Sequence, residues 1–412
     1  MLSALFVGIL VARYLGPEQY GLMNYVISYV LIFAIIASFG LDDIEIREMS
    51  KAPERFNIII GTSLGIRLIF ATFAYLLIGF SLWIFESDAR VIVLVLLYAS
   101  VLISGIFNVI RNYFTSILEN KYIVKSEVVR TFIGVFIKTI LLWFKAPLFV
   151  FVIATAFDTF LVAGGYLYSY YAKIGFFSKW SFDRKLALFL VKESFPLVLS
   201  GSAVVIYQRI DQVMIGDMIG NEAVGYFATA DKFLGLILFL PMILVQTITP
   251  LLIRIKECDK TLYEMRKRQF VSFVVWISIF VALLVSLSAR YLIMWTFGEQ
   301  YILSVTILQI VSWKTVGMAL SASAGQIIIM EHLQKWAAIR NVIGCLVCIC
   351  GNLLLIPSYG IVGSAWVTII TMLFVGCLAN LLIPPYYEVF KIQLRAIFLG
   401  WKEITNIKKM MY

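Results

Sequence analysis

Twelve apolar runs succeed one another along this chain, each ended by charged or turn residues. They fall at about 1–15, 22–41, 58–83, 91–110, 128–144, 147–171, 194–216, 223–250, 269–295, 302–330, 336–356 and 361–385. A helix needs about 20 residues to cross the hydrocarbon of a bilayer, and most of these runs supply that length. In lipid every backbone N–H and C=O must be satisfied within the segment, so runs of this length must be helical. The expected fold class is therefore an all-α integral membrane protein with about 12 transmembrane helices. Composition agrees: 62% of the residues are apolar and 14% charged, where a soluble domain is about a quarter charged. No polar stretch is long enough for a separate soluble domain.

The charge that remains is patterned. Alternate connections are basic: Arg47, Lys51 and Arg55 in 42–57, Arg111, Lys121 and Lys125 in 111–127, five basic residues in 172–193 and six in 254–268. Lys335 and Arg340 follow, then Lys391, Arg395, Lys402, Lys408 and Lys409. The intervening connections hold only Arg13, Arg90, Lys145 and Arg290. Basic loops stay in the cytoplasm, so both termini are expected there. The net charge of +10 is thereby explained by topology, and no nucleic-acid partner is expected.

An internal repeat appears at an offset of 204 residues. LGPEQYG (Leu15 to Gly21) aligns with IGNEAVG (Ile219 to Gly225), matching Gly16 with Gly220, Glu18 with Glu222 and Gly21 with Gly225. Both segments follow the first run of a set of six, as a six-plus-six duplication requires, and parallel repeats of this kind build transporters. The expected organisation is an N-terminal six-helix lobe at 1–171, a basic cytoplasmic linker at 172–193, a C-terminal six-helix lobe at 194–385 and a basic cytoplasmic tail at 386–412. The same offset puts the start of the first helix about ten residues before Met1, so that helix is expected to be truncated.

Several segments resemble the Wzx-type polysaccharide flippases, in the polysaccharide-transport branch of the multidrug/oligosaccharidyl-lipid/polysaccharide (MOP) exporter superfamily. They are VARYLGPEQYGLMNYVISYV (Val11 to Val30), SFGLDDIEIREMSK (Ser38 to Lys51), the block from Lys192 to Lys232 containing Arg209, Asp211 and GNEAVG, HLQKWAAIRN (His332 to Asn341) and IPSYGIVGSAWVT (Ile356 to Thr368). The resemblance implies two six-helix bundles around a V-shaped central cavity, in the inner membrane of a bacterium. It implies a substrate of undecaprenyl-pyrophosphate-linked oligosaccharide, moved from the cytoplasmic to the outer leaflet for surface polysaccharide such as O-antigen. The implied partners are that lipid-linked substrate, membrane lipids, and a polysaccharide polymerase with its chain-length machinery.

Six basic residues lie inside or at the edges of the runs, where topology does not require them: Arg67, Arg130, Lys138, Arg209, Lys232 and Lys314. A charge at mid-bilayer costs about 2.5–3.5 kcal/mol on insertion scales, so it faces a cavity or a partner. Arg130, near the end of its run, is explained by snorkelling to the interface. Arg67, Lys138, Arg209 and Lys314 are the expected substrate-binding residues, because clustered cations attract a diphosphate or sugar acids. Arg67, Arg209 and Lys314 are expected to share one aqueous cavity between the lobes. Asp158, Asp211, Asp231 and Lys232 are the candidates for ion pairing or coupling. Arg209 and Asp211, two residues apart on one helix, point about 200° from each other. Pro196, Pro241 and Pro250 should kink their helices, and Gly61/Gly65 and Gly216/Gly220 have the spacing of close helix contacts.

His332 is the single histidine, and Cys345, Cys348 and Cys350 have no His or carboxylate close enough for a metal site. No metal or cofactor is expected, with coupling to H⁺ or Na⁺ left open. A cation-coupled drug exporter of the same superfamily would want an acidic lumen, whereas intramembrane cations outnumber the acids Asp158, Asp211 and Asp231. A membrane glycosyltransferase or polymerase would want a large outside loop with catalytic carboxylates, and the outside connections here are short. The expected protein is a transporter and not an enzyme.

Overall fold

The computed structural model describes residues 2–175 and 179–405, and among these every regular element is helical. Residues 406–412, the end of the expected basic tail with Lys408 and Lys409, lie outside the described residues. The chain divides into two compact units, Met1–Val213 and Met214–Tyr412. The division falls within a helix of the seventh run, past the basic segment 172–193 where the lobes were expected to part.

In the N-terminal unit α1 (Leu2–Ser38) carries the first two runs, broken at Gly16. The short helix α2 (Leu41–Lys51) is followed by α3 (Phe56–Phe85). The fourth passage is built from three pieces, α4 (Ala89–Ala99), α5 (Val101–Gly105) and α6 (Asn108–Ser116). Then come α7 (Lys121–Trp143), α8 (Leu148–Ile174) and α9 (Arg184–Met218).

The C-terminal unit contains α10 (Asn221–Ile237), α11 (Phe239–Cys258), α12 (Lys260–Thr296), α13 (Leu303–Val311), α14 (Lys314–Met330) and α15 (Ala337–Leu373). A π-helical turn, Phe374–Leu378, leads into α16 (Ala379–Leu382), and α17 (Tyr387–Thr405) is the last described helix. With α1 broken at Gly16 and α15 at Gly360, the order of passages is that of the twelve apolar runs. Eight continuous stretches are long and apolar enough to cross a membrane, and two of them, Leu5–Lys51 and Gln334–Leu382, each hold two runs. α7 falls outside that set because Glu127, Arg130 and Lys138 interrupt its apolar residues.

The two glycines aligned by the 204-residue offset share a backbone geometry. Gly16 has φ 74°, ψ 171° and Gly220 φ 126°, ψ 170°, with a new helix beginning directly after each. This is a region of backbone space open essentially to glycine alone. Gly220 is thus a turn residue rather than a helix-contact residue. Gly61 and Gly65 are contact residues, though against the connection to α9. A Cβ on Gly61 would lie 2.5 Å from the Ser181 carbonyl oxygen, and one on Gly65 2.9 Å from the Phe182 ring. Residues 181–183 of the basic segment are therefore packed against α3, with the Asp183 amide donating to Thr62 Oγ1 at 3.0 Å.

Two other stretches read as loop or tail are ordered helices. α2 occupies the basic connection 42–57 and buries Leu41, Ile44, Glu45 and Met49. α17 lies against α12, with Val389, Phe390, Ile392 and Ala396 in the core of its unit. Buried Gln393 donates to the carbonyls of Gly376 (2.6 Å) and Leu320 (3.0 Å) and accepts from Asn380 Nδ2 at 2.8 Å. The π turn breaks the regular i→i−4 ladder around Gly376, and the Gln393 side chain satisfies a carbonyl there. Outward, α3, α7 and α12 expose large apolar side chains such as Phe80, Trp83, Phe132, Phe136, Phe280 and Leu287. So much apolar surface would be a liability in water; facing lipid it is the normal exterior of a multi-pass membrane protein.

Candidate functional site

The N-terminal unit holds a half-open cavity of about 630 Å³. Helical spacing delivers its walls. Leu31, Ala34, Ile35 and Ser38 form one stripe of α1, Thr159, Val162 and Ala163 one stripe of α8, and Val205, Gln208 and Arg209 one stripe of α9. Tyr98, Asn108 and the α5 segment close the side formed by the broken fourth passage, and Glu127 and Arg130 project from α7. Most of the surface is apolar, and two guanidinium groups and one carboxylate supply its charge.

These charges are lightly engaged. Neither Arg209, Arg130 nor Glu127 takes part in a salt bridge among the described residues. Arg130 Nε is buried and has no hydrogen-bond partner. Glu127 Oε1 accepts from Tyr166 OH at 3.4 Å, beyond the usual O–H···O range. Ser104 Oγ donates to Thr159 Oγ1 at 2.8 Å and so joins the walls formed by α5 and α8. An apolar chamber carrying two guanidinium groups is chemically suited to an amphiphilic anion: the forks can take phosphate or carboxylate oxygens in pairs.

Of the residues expected to bind substrate, Arg209 lines this cavity and Arg67 does not. Arg67 is 1% exposed. Its Nε and Nη2 donate to both oxygens of Glu45 at 2.8 and 2.9 Å, and Nη2 also donates to Asp42 at 2.7 Å. Asn112 Nδ2 donates to the same two carboxylates. The expectation that Arg67 shares an aqueous cavity is thus corrected: its charge is matched inside the protein by carboxylates that α2 places against α3. Lys138 Nζ donates to Asp158 Oδ2 at 2.5 Å, an ion pair between α7 and α8. In the C-terminal unit Lys314 Nζ lies 3.3 Å from Asp231 Oδ1, so each of these lysines has a carboxylate partner. Asp211 is 2% exposed and absent from the cavity wall that Arg209 joins, as their angular separation on α9 requires. Lys232 is half-buried on α10.

Arg130 and Glu127 are the cavity residues that sequence reasoning missed. Arg130 sits near the end of its span, where snorkelling accounts for a cation without any cavity. The available signal was the four-residue spacing of Arg130, Gly134 and Lys138, which puts two cations and a gap on one stripe of α7.

No curated protein matches the chain. Among solved structures, it is similar to an inward-facing multidrug resistance MATE family transporter of the MOP superfamily, with TM-score 0.70 and 16% identity over 100% of this chain and 96% of that one. It is also similar to the lipid II flippase MurJ in an inward closed conformation, with TM-score 0.71 and 15% identity over 97% and 89% of the two chains. A MOP superfamily transporter from Pyrococcus furiosus aligns with TM-score 0.56 and 14% identity over 99% and 95%. At these identities the likeness is one of fold, and that fold is the expected MOP architecture. Residues 1–256, more than half of the chain, match the polysaccharide biosynthesis protein family, and the chain belongs to that family.

Proposed function

We propose that this protein is a flippase for a lipid-linked oligosaccharide, and that Arg130 and Arg209 hold the anionic phosphates of its substrate in the N-terminal cavity. The observation that carries this reading is the buried, unpartnered Nε of Arg130 on a cavity that Arg209 also lines. A buried guanidinium N–H without an acceptor is costly, and an anionic headgroup supplies the acceptor. The family assignment supports a role in polysaccharide synthesis, and the likeness to the lipid II flippase MurJ supports a fold that serves a flippase. The substrate is then undecaprenyl-pyrophosphate-linked repeat units, carried by alternating access from the cytoplasmic to the outer leaflet of a bacterial inner membrane. A polymerase and its chain-length machinery would consume them there. The protein moves its substrate without changing it.

The test is export of surface polysaccharide by cells carrying single variants. A charge-assisted hydrogen bond contributes about 1.5–3 kcal/mol, so Arg209→Ala and Arg130→Ala should each weaken substrate handling roughly ten- to a hundredfold at normal membrane abundance. Arg209→Lys should retain part of the activity, because charge survives and the planar fork does not. Normal export from both alanine variants would refute the reading.

Glu127, the carboxylate in the cavity wall, favours a second reading: a cation-coupled drug exporter on the fold of the MATE transporter. There Glu127→Gln would abolish efflux of organic cations while Arg209→Ala would leave it intact. Within the flippase reading, Glu127 is instead the group through which H⁺ or Na⁺ would couple to transport.

A further inference from the structure

Beside the main cavity, a second space of about 70 Å³ lies between α7 and α8, bordered by Arg130, Thr131, Gly134, Lys138 and Asp158. Asp158 faces the α7 stripe on which Arg130, Gly134 and Lys138 recur every four residues. Its Oδ2 accepts from Lys138 Nζ. Its Oδ1 sits in the gap left by the missing side chain of Gly134, where a Cβ would be 2.4 Å away. That Oδ1 is buried and accepts no hydrogen bond, and Arg130 Nε is buried and donates none. An orphaned acceptor and an orphaned donor of opposite charge thus border one small space without meeting. Buried groups of this kind are ordinarily paired. Arg130 also borders the main cavity, so its guanidinium stands between two sources of negative charge.

We propose that Arg130 is a two-position ligand. In one position its guanidinium crosses the small space to Asp158 Oδ1, completing a Lys138–Asp158–Arg130 triad; in the other it turns into the main cavity, and an anion of the phosphate class there holds it away from Asp158. The proposal rests on the reading of the cavity as an anion site, and adds to it a competitor that limits affinity and so assists release. Lys138 has a defined part in this scheme. By sharing the charge of Asp158 it weakens the hold of that carboxylate on Arg130. The affinity of a ligand falls with the fraction of protein in the competent state, so Asp158 and Lys138 must act on anion affinity with opposite signs. A static interhelical ion pair has no such signature, because removing either partner strands the other and weakens the fold alike.

The experiment is binding of inorganic pyrophosphate to the full chain in lipid nanodiscs, read by calorimetry, with membrane abundance and polysaccharide export measured for the same variants. Asp158→Asn should tighten binding about fivefold or more and Lys138→Gln should weaken it by a comparable factor, within the usual range of coupling between sites. Asp158→Asn should also export more slowly despite its tighter binding, and Arg130→Ala should erase both shifts. Shifts of the same sign, no shift, or shifts that persist without Arg130 overturn the inference and leave the cavity reading intact. Loss of both variants from the membrane overturns it too, by identifying a structural triad. Failure of the unaltered protein to bind pyrophosphate, with Arg209→Ala exporting normally, overturns the cavity reading itself.

Discussion

Arg67 and Arg130 are both intramembrane arginines, and their surroundings give them opposite uses. The Arg67 guanidinium is closed in by Glu45, which is 0% exposed, and by Asp42. Removing one partner of a buried ion cluster typically costs about 3–5 kcal/mol, because it leaves the other charges uncompensated. Arg67→Ala should therefore lower membrane abundance and the thermal stability of detergent-solubilised protein. Arg67→Met combined with Asp42→Asn and Glu45→Gln should recover most of that loss. If Arg67→Ala is made at normal levels with normal stability and fails only in export, Arg67 belongs to the transport machinery instead. The cost of a buried cation was legible in the sequence, and it selected Arg67 and Arg209 on equal terms. The partners were not legible, because Asp42 and Glu45 sit in a stretch whose basic residues made it read as a loop. Only the helical turn of α2 and its packing on α3 reveal that one arginine is neutralised within the protein and the other is not.

At the scale of elements, the turns before new helices depend on glycines in conformations that other residues resist. Gly16 and Gly220 share ψ near 170° at positive φ, and Gly298, before the helical turn Glu299–Tyr301, has φ 89° and ψ 178°. The local sequences are alike, with Gly-Pro-Glu-Gln-Tyr at Gly16 and Gly-Glu-Gln-Tyr at Gly298. A side chain in this region costs about 1–3 kcal/mol, so Gly16→Ala and Gly220→Ala should each lower thermal stability by that order. Gly79→Ala, at a helical position with open space around its Cβ, should be neutral or slightly stabilising. Equal effects at all three sites would show that the backbone conformation is not the cause. The twelve runs, and the correspondence of Gly16 with Gly220, were readable because apolar length and glycine spacing are properties of the chain itself. The helical nature of 42–51 and 387–405 was not. Those segments carry a charged face, and an amphipathic helix with that composition resembles a loop until the element it packs on is known. Gln393 and the π turn it satisfies are a case of the same kind, since the carbonyl of Gly376 acquires its partner only through folding.

At the scale of the whole molecule, the charge pattern and the turn geometry make one joint prediction about sidedness. The glycine turns at Gly16, Gly220 and Gly298 all fall in connections poor in Lys and Arg. α2, the 172–193 segment, the start of α12 and α17 all carry the basic residues. Lys and Arg near span ends hold their loops on the cytoplasmic side, whereas a tight glycine turn with an acidic residue at the next helix start carries no such signal. Twelve single crossings require the two classes of connection to alternate, and in the sequence they do. Reporter fusions at Glu18, Asp88 and Asn221 should therefore read outside, and fusions at Lys51, Lys179 and Lys260 inside. The decisive position is the 254–268 segment, which is the most basic connection and lies between α11 and α12. α10 and α11 are joined at Leu238 and are counted as one crossing. If they were two crossings, every later connection would change sides and the most basic segment would be translocated, against the rule that orients the rest of the chain. An outside signal at Lys260 would thus overturn both the count of twelve passages and the cytoplasmic placement of α17. An inside signal there, with an outside signal at Asn221, would support both.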